Sequence, residues 1–171
     1  MGNKKRTNKR QESDVWKGLA AGLIGGLVAS WTMNRFQALV AKAAAPSNGN
    51  QGEDEDATQK LAQALATRTL HRSLTKAELQ TAGPIVHYTY GTLVGGLYGA
   101  AAEQSTRVRA LAGAGYGTAL WAIGDEIAVP AFGLSRPSTE FPPRVHVQAL
   151  TAHLVYGVTT ELVRRAVRAL M

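Results

Sequence analysis

The chain has 171 residues, of which 45% are hydrophobic and 18% charged, and it carries a net charge of +7. That length fits one domain with enough apolar matter for a core, and the absence of cysteine excludes disulfide frameworks and thiolate metal sites. The cations are not interleaved with aromatic residues, which argues against a nucleic-acid face and for anionic lipid headgroups as their partner.

The apolar residues gather in four stretches without Asp, Glu, Lys or Arg: Gly18 to Asn34, Leu79 to Ala102, Ala110 to Gly124 and Val145 to Thr160. A crossing helix needs about 20 mostly apolar residues, and Val15 and Trp16, or Ile127 to Val129, lengthen the shorter stretches. Lys17 and Arg35 can snorkel to headgroups while their stems stay in hydrocarbon. The sequence therefore predicts an all-α fold, an integral membrane bundle of four transmembrane helices with an amphipathic helix between the first two. A Gly-rich bundle in water is the disfavoured alternative, because glycine costs about 1 kcal/mol per helical position there.

In chain order, residues 1 to 14 are polar and basic and are expected to be disordered, leaving 15 to 171 as a single domain. Arg6 stands where N-myristoylation needs Ser or Thr, so that signal fails. The basic start, the apolar run and Ala43-Ala44-Ala45 also suggest a signal peptide, but Arg35 and Lys42 intervene, and a retained first helix is expected. In that helix Gly18, Gly22, Gly26 and Ser30 lie four apart, on one face.

Residues 45 to 58 combine Pro, Gly, Asn and acids and read as a flexible linker. The run Glu53 to Asp56 lacks calcium-loop spacing. Leu61, Leu65, Leu70 and Leu74, with Lys60, Arg68 and Arg72 on other faces, predict an amphipathic outer helix over about 59 to 80, lying on the membrane or capping the bundle. Within this region Thr75 to Glu78 forms a capping box that opens a short helix stopping near Gly83 and Pro84. The second crossing starts at about that proline. It places His87, Gly91, Gly95, Gly99 and Glu103 on one stripe.

A tight turn over Glu103 to Arg109 makes the second and third helices antiparallel neighbours. The third helix opens its own stripe with Gly113 and Gly117. If it ends at Gly124 it holds only 15 uncharged residues, and Asp125 and Glu126 then fall at or inside the membrane boundary, where ionisable groups need partners. Pro130 to Pro143, with four prolines, is an outer loop. The fourth helix carries Ala149, His153, Gly157 and Glu161 four apart, and it repeats the His-x-x-Tyr-Gly of His87 to Gly91 at His153 to Gly157. The chain thus reads as two related helical hairpins.

Small residues at every fourth position let backbones approach closely in lipid. The faces can pack within the bundle or between subunits of a homo-oligomer; a glycine-lined pore is the lesser alternative. Lys4, Lys5, Arg6, Lys9, Arg10 and Lys17, then Arg107 and Arg109, then Arg164, Arg165 and Arg168 all fall on one side if the helices alternate. Both termini are accordingly expected to be cytoplasmic, with Glu103 and Glu161 as acids on that side.

The same topology gathers His87, Asp125, Glu126 and His146 at the outer end, with His153 about two turns deeper. Imidazoles and carboxylates together can hold a cation such as zinc or relay protons. Alternatively, the acids fix the outer loop by pairing with Arg144 or Arg35. His-Glu-x-x-His spacing is absent, so no metal is assigned, and no cofactor is indicated. Neither a phosphate-cradling loop nor a nucleophile elbow is present, so no catalytic residue is named and an enzyme is not expected.

KGLAAGLIGGLVASWTMNRFQ (17 to 37), HYTYGTLVGGLYGAAAE (87 to 103), DEIAVPAFGLS (125 to 135) and HLVYGVTTELVRR (153 to 165) resemble the YagU-like family of bacterial inner-membrane proteins, a domain of unknown function. The resemblance implies a bacterial inner-membrane location and no established activity. The expectation from residues and resemblance together is a membrane-embedded bundle with a structural or assembly role, the alternative being a proton- or metal-coupled transporter or channel.

Overall fold

The computed structural model describes residues 2–43 and 57–171. Among the described residues every regular element is a helix: α1 (Gly2–Ala43), α2 (Ala57–Leu70), α3 (Lys76–Gln104), a 3-10 segment (Thr106–Gly113), α4 (Ala114–Leu120), a π segment (Trp121–Ala128), α5 (Val129–Ala131), a second 3-10 turn (Ser138–Glu140) and α6 (Pro143–Ala169). Most of the expected linker, and two of the three alanines at the expected cleavage site, lie outside the described residues.

Helical backbone begins at Gly2, whereas composition predicts a disordered tail. The tail's Lys, Arg, Gln and Glu are good helix formers, and extending an existing helix avoids the cost of a new nucleus.

α1 is the centre of the packing, antiparallel to both α3 and α6. A Cβ placed on Gly95 would lie 2.6 Å from Gly26 Cα, and one on Gly22 would lie 2.9 Å from Gly99 Cα. On another face of α1, a Cβ on Gly25 would meet the Thr160 carbonyl oxygen at 2.7 Å. α4 rests on α6 in the same way, with a Cβ on Gly157 falling 2.8 Å from Gly117 Cα. Real Cβ atoms do not sit this close to backbone, so larger residues at these positions would push the helices apart. The core between them is built from Ala29, Met33, Ala152 and Tyr156, with Phe36, Val94, Tyr116 and Leu120 against it.

The largest aliphatic side chains point outward: Leu97 is 66% exposed, Ile123 64% and Val147 64%. Even so, no helix among the described residues is long and apolar enough to cross a membrane, against the four crossings expected. The inward-facing glycines, together with Ser30, His87, Thr160 and similar residues, dilute the apolarity of each helix.

Three element boundaries also differ from expectation. The amphipathic helix expected within about 59 to 80 ends at Leu70, before His71 with its φ of +54°, and the capped helix after Thr75 follows as a separate element; α2 buries Ala62 and Ala66 instead of its leucines. Leu65 and Leu70 are exposed. Small alanines allow α2 to sit close to Gly83 of α3, where a Cβ would lie 2.8 Å from Gln59 Cγ.

The capping box forms: Glu78 N donates to Thr75 Oγ1 at 3.3 Å, and Thr75 N donates to Glu78 Oε2 at 2.8 Å. The helix it opens does not stop at Pro84 but runs unbroken to Gln104. An interior proline removes one helical hydrogen bond, and α2 packs beside this point, at Gly83.

The third stretch is not helical from Ala110. Leu111, Ala112 and Gly113 are left-handed, with φ of +54°, +51° and +90°, and regular α-helix begins only at Ala114. At its other end the helix does not stop at Gly124 but widens into the π segment and continues to Ala131.

Candidate functional site

The π segment sets the site. Pro130 has no N–H to give to the Glu126 carbonyl one turn back, and Ser138 Oγ donates to that carbonyl instead, at 2.8 Å. Val129 N bonds back to Gly124 O and Leu134 N to Val129 O, both five residues away. The wider turn carries Asp125 and Glu126, two consecutive acids, toward the same neighbour, α6. Single π turns inside α-helices occur often at functional sites.

On α6, His146 and His153 are seven residues apart and share a face. His146 Nδ1 lies 2.7 Å from Glu126 Oε1. His153 Nδ1 hydrogen-bonds Ala149 O at 2.9 Å, so that nitrogen carries the proton, because a carbonyl only accepts. Asp125 Oδ2 is 3.6 Å from the same nitrogen, an ionic neighbour too far for a hydrogen bond. The structure thus supplies histidines as partners of both acids, where the sequence offered Arg144 or Arg35. The Arg35 guanidinium lies over the Trp31 ring, 5.5 Å from its centroid.

All five predicted residues, His87, Asp125, Glu126, His146 and His153, line one cavity of about 920 Å³. It is lined by residues of α1, α2, α3, the π segment, the loop after α5 and α6 and is open on one side. No group of three or more His, Asp or Glu able to hold a metal ion occurs among the described residues. The cluster is therefore two His–carboxylate pairs facing a shared space, with His87 on a further wall, edge-on to Tyr88 at 5.7 Å between ring centroids.

The opposite end of the bundle is closed by charge. Glu161, fully buried, accepts from Arg164 Nε at 2.6 Å, Arg165 Nε at 2.6 Å and Tyr98 Oη at 2.9 Å. Arg164 Nη1 and Arg168 Nε each donate to Glu103 Oε1 at 2.9 Å, and Arg168 reaches Asp14 at 3.4 Å. The Arg168 bond, outweighing partial burial, holds the Glu103 carboxyl below the usual carboxylate range. Burial pushes Glu161 up, but the bonds from Arg164, Arg165 and Tyr98 prevail and leave it lowered.

Sequence reasoning named Glu103 and Glu161 but not Asp14, and it did not name Arg164 as the buried partner that the two glutamates share. The signal was present in the i, i+3 spacing of Glu161 and Arg164 on one face of α6. It also missed the cavity walls contributed by Tyr90, Tyr156, Asn34 and Gln37. The His-x-x-Tyr-Gly repeat marks Tyr90 and Tyr156, but no local pattern shows that they share a cavity with Asn34 and Gln37, because that depends on the meeting of α1, α3 and α6.

A family model described as "Protein of unknown function (DUF1440)" matches residues 38–162. No curated protein and no solved structure matches the chain.

Proposed function

The chain belongs to the DUF1440 family of proteins of unknown function, and on that premise we propose that it is a membrane-embedded helical bundle that binds and moves a small solute through its His- and carboxylate-lined cavity. The observation that carries the reading is the convergence of His87, Asp125, Glu126, His146 and His153 on one cavity of about 920 Å³, within the range of small-molecule sites. It is a binding and transport reading rather than an enzymatic one, with two His–carboxylate pairs available to exchange protons as solute enters.

A bilayer location is supported by the inversion of the usual arrangement. The charges lie at the two ends or inside, while Ile24, Leu27, Leu93, Leu97 and Ile123 are exposed between them. Hydropathy averaged along a helix counts inward-facing glycines and polar groups that lipid never meets, whereas lipid contact depends on the outward face alone. Trp16 and Trp31, 69% and 52% exposed, lie close to the two ends of the uncharged part of α1, where interfacial anchors sit.

Segments 1–17, 103–109 and 161–171 carry eleven Lys or Arg against four Asp or Glu, and the rest of the chain carries eight of each. These segments meet at one end, where Lys17 Nζ donates to Met171 O at 3.2 Å. The whole net charge therefore belongs to the end holding both termini, which supports a cytoplasmic placement of that end. The resemblance to YagU-like proteins supports a bacterial inner membrane.

Because the chain has no cysteine, single introduced cysteines test this directly. In intact spheroplasts an impermeant maleimide should label Ser135→Cys and should label Thr106→Cys only after permeabilisation, and the protein should stay in the pellet on alkaline carbonate extraction. Release by carbonate, or equal labelling at both positions, rejects the reading.

A structural or assembly role is the second reading, supported by the backbone-close packing of α1 on α3 and α4 on α6. Gly18, Gly22, Gly26, Gly91, Gly95, Gly99, Gly113, Gly117 and Gly157 all face other helices of the same chain, which favours a self-contained bundle over a homo-oligomer built through them. This reading predicts that Asp125→Asn with Glu126→Gln leaves the cellular phenotype of the wild type intact.

A further inference from the structure

We infer that the cavity takes an uncharged glycoside: a polyhydroxylated head bonded by the side-chain amides of Asn34, Gln37, Gln59 and Gln80, and an apolar aglycone among Met33, Leu61 and Leu120. The inference rests on the cavity being a solute site and names the class of solute. Three observations carry it.

The first is a wall of amides. Gly18, Gly22 and Gly26 of α1 meet the backbone of Gly99, Gly95 and Gly91 of α3, and carried outward this register sets Gln37 opposite Gln80. There the cavity lies between the two helices, and α2 brings Gln59 beside Gly83. Asn34, Gln37, Gln59 and Gln80 all line the cavity, and among the described residues none of these four makes a side-chain hydrogen bond. Gln63, one turn along α2 and not part of the lining, shows the contrast. Its Nε2 donates to Thr67 Oγ1 at 3.0 Å and its Oε1 accepts from Leu74 N at 3.0 Å. The cavity amides keep donors and acceptors for a solute. A hydroxyl also both donates and accepts, so several on one ring match several amides.

The second is the balance of charge. Asp125 and Glu126 share the lining with Arg68, His87, His146 and His153. Both acids are engaged, Glu126 with His146 at 2.7 Å and Asp125 with His153 at 3.6 Å. A fully charged solute would meet both signs and would have to displace one of these pairs, leaving a charge without its partner. An uncharged solute leaves both pairs intact.

The third is the rest of the lining. Met33, Leu61, Leu65 and Leu120 are aliphatic, and the rings of Tyr90 and Tyr156 add flat faces. The volume of about 920 Å³ lies in the range that holds small organic molecules. A bare sugar would leave the leucines without contacts and a plain hydrocarbon would leave the amides without partners, whereas a glycoside serves both.

The test uses three water-soluble probes that differ only at C6 of the sugar: phenyl β-D-glucopyranoside, its 6-carboxylate phenyl β-D-glucuronide, and cationic phenyl 6-amino-6-deoxy-β-D-glucopyranoside. Each is titrated calorimetrically at pH 7 into the full chain in nanodiscs, with empty nanodiscs subtracted. The uncharged glucoside should bind about tenfold or more tightly than either charged analogue, because an added charge carries a desolvation cost that the paired lining does not repay. Gln37→Leu combined with Gln80→Leu should weaken the glucoside about tenfold, through the loss of hydrogen bonds at both helices. Gln148→Leu, on the exposed side of α6 and outside the lining, should leave binding unchanged, and a melting curve on each variant verifies folding. Equal or tighter binding of a charged probe overturns the uncharged class while leaving a solute site. Glucoside binding indifferent to the paired glutamine substitutions, or binding of no probe by folded wild type, overturns the inference as a whole. The bilayer reading is decided separately, by carbonate extraction and cysteine labelling.

Discussion

The phenolic hydroxyl of Tyr156 donates to the carbonyl oxygen of Gly91 at 2.5 Å, so the tyrosine of one His-x-x-Tyr-Gly segment is bonded to the glycine of the other. The bond ties α6 to α3 beside the cavity, as the bonds of Tyr98 to Glu161 and of Arg164 and Arg168 to Glu103 tie the same two helices at the other end. Tyr156→Phe deletes only the hydroxyl. A loss of about 0.5–1.5 kcal/mol is expected, read as a fall of a few degrees in the melting temperature of the purified protein. An unchanged melting temperature would show that the bond contributes nothing net.

The contact between Gly95 and Gly26 sets a second expectation. A side chain at Gly95 has backbone in front of it, with Gly26 Cα at 2.6 Å from the first added carbon. Gly95→Leu should therefore destabilise by about 1–3 kcal/mol or more. Gly124, whose added Cβ would have Tyr90 Oη at 3.9 Å as its nearest neighbour, is the comparison, and Gly124→Ala should be neutral or slightly stabilising. Equal melting temperatures for the two variants would refute the packing argument.

Arg164 and Arg165 test burial. Both bond to Glu161, but the Arg164 side chain is 3% exposed and that of Arg165 53%. Arg164→Ala leaves the buried Glu161 carboxylate short of its main partner and Glu103 short of one bond, a change expected to cost about 3–5 kcal/mol. Arg165→Ala should cost less than about 1 kcal/mol. Chemical unfolding of the two variants side by side is the measurement.

Acid sensitivity follows from depressed carboxylates. Glu78 is lowered from 4.5 to about 2, first by its bond to Arg72 and then by bonds to Thr75, and Glu103 is lowered by Arg168. A group whose folded pKa is depressed stabilises the fold above its unfolded pKa and loses that contribution as pH falls through the folded value. These two groups should therefore contribute no pH dependence between pH 7 and 5, and a decline below about pH 4.5 that is complete near pH 2 for Glu78. Glu78→Gln should flatten its part of that decline. A melting temperature that falls just as steeply in the variant would reject the assignment.

The helical class, the capped start of α3 at Thr75 and the faces on which glycines recur were legible from local signals alone. A cap is decided within four residues, and i, i+4 spacing fixes a helix face whatever surrounds it. The basic excess at one end was likewise carried by position along the chain.

What local rules indicated wrongly was the effect of neighbours on them. Pro84 reads as a break and lies inside a continuous helix, with α2 packed beside it at Gly83. Leu111 and Ala112 read as the start of a helix and are left-handed, in a turn whose end is set by Gly113 against the Gly157 carbonyl.

The five cavity-lining residues could be named in sequence, since ionisable groups beside apolar runs stand out. Their arrangement could not. Whether Asp125 and Glu126 meet arginine or histidine depends on the turn widened around Pro130 and on the register of α6, and the cavity exists only where α1, α2, α3, the π segment, the loop after α5 and α6 leave space between them. Sequence by itself determined the helices, their faces and the distribution of charge, because those follow from interactions a few residues long. Only the tertiary structure decided which faces meet and which charges pair, because those depend on contacts between residues as far apart as Tyr98 and Glu161, which no local propensity records.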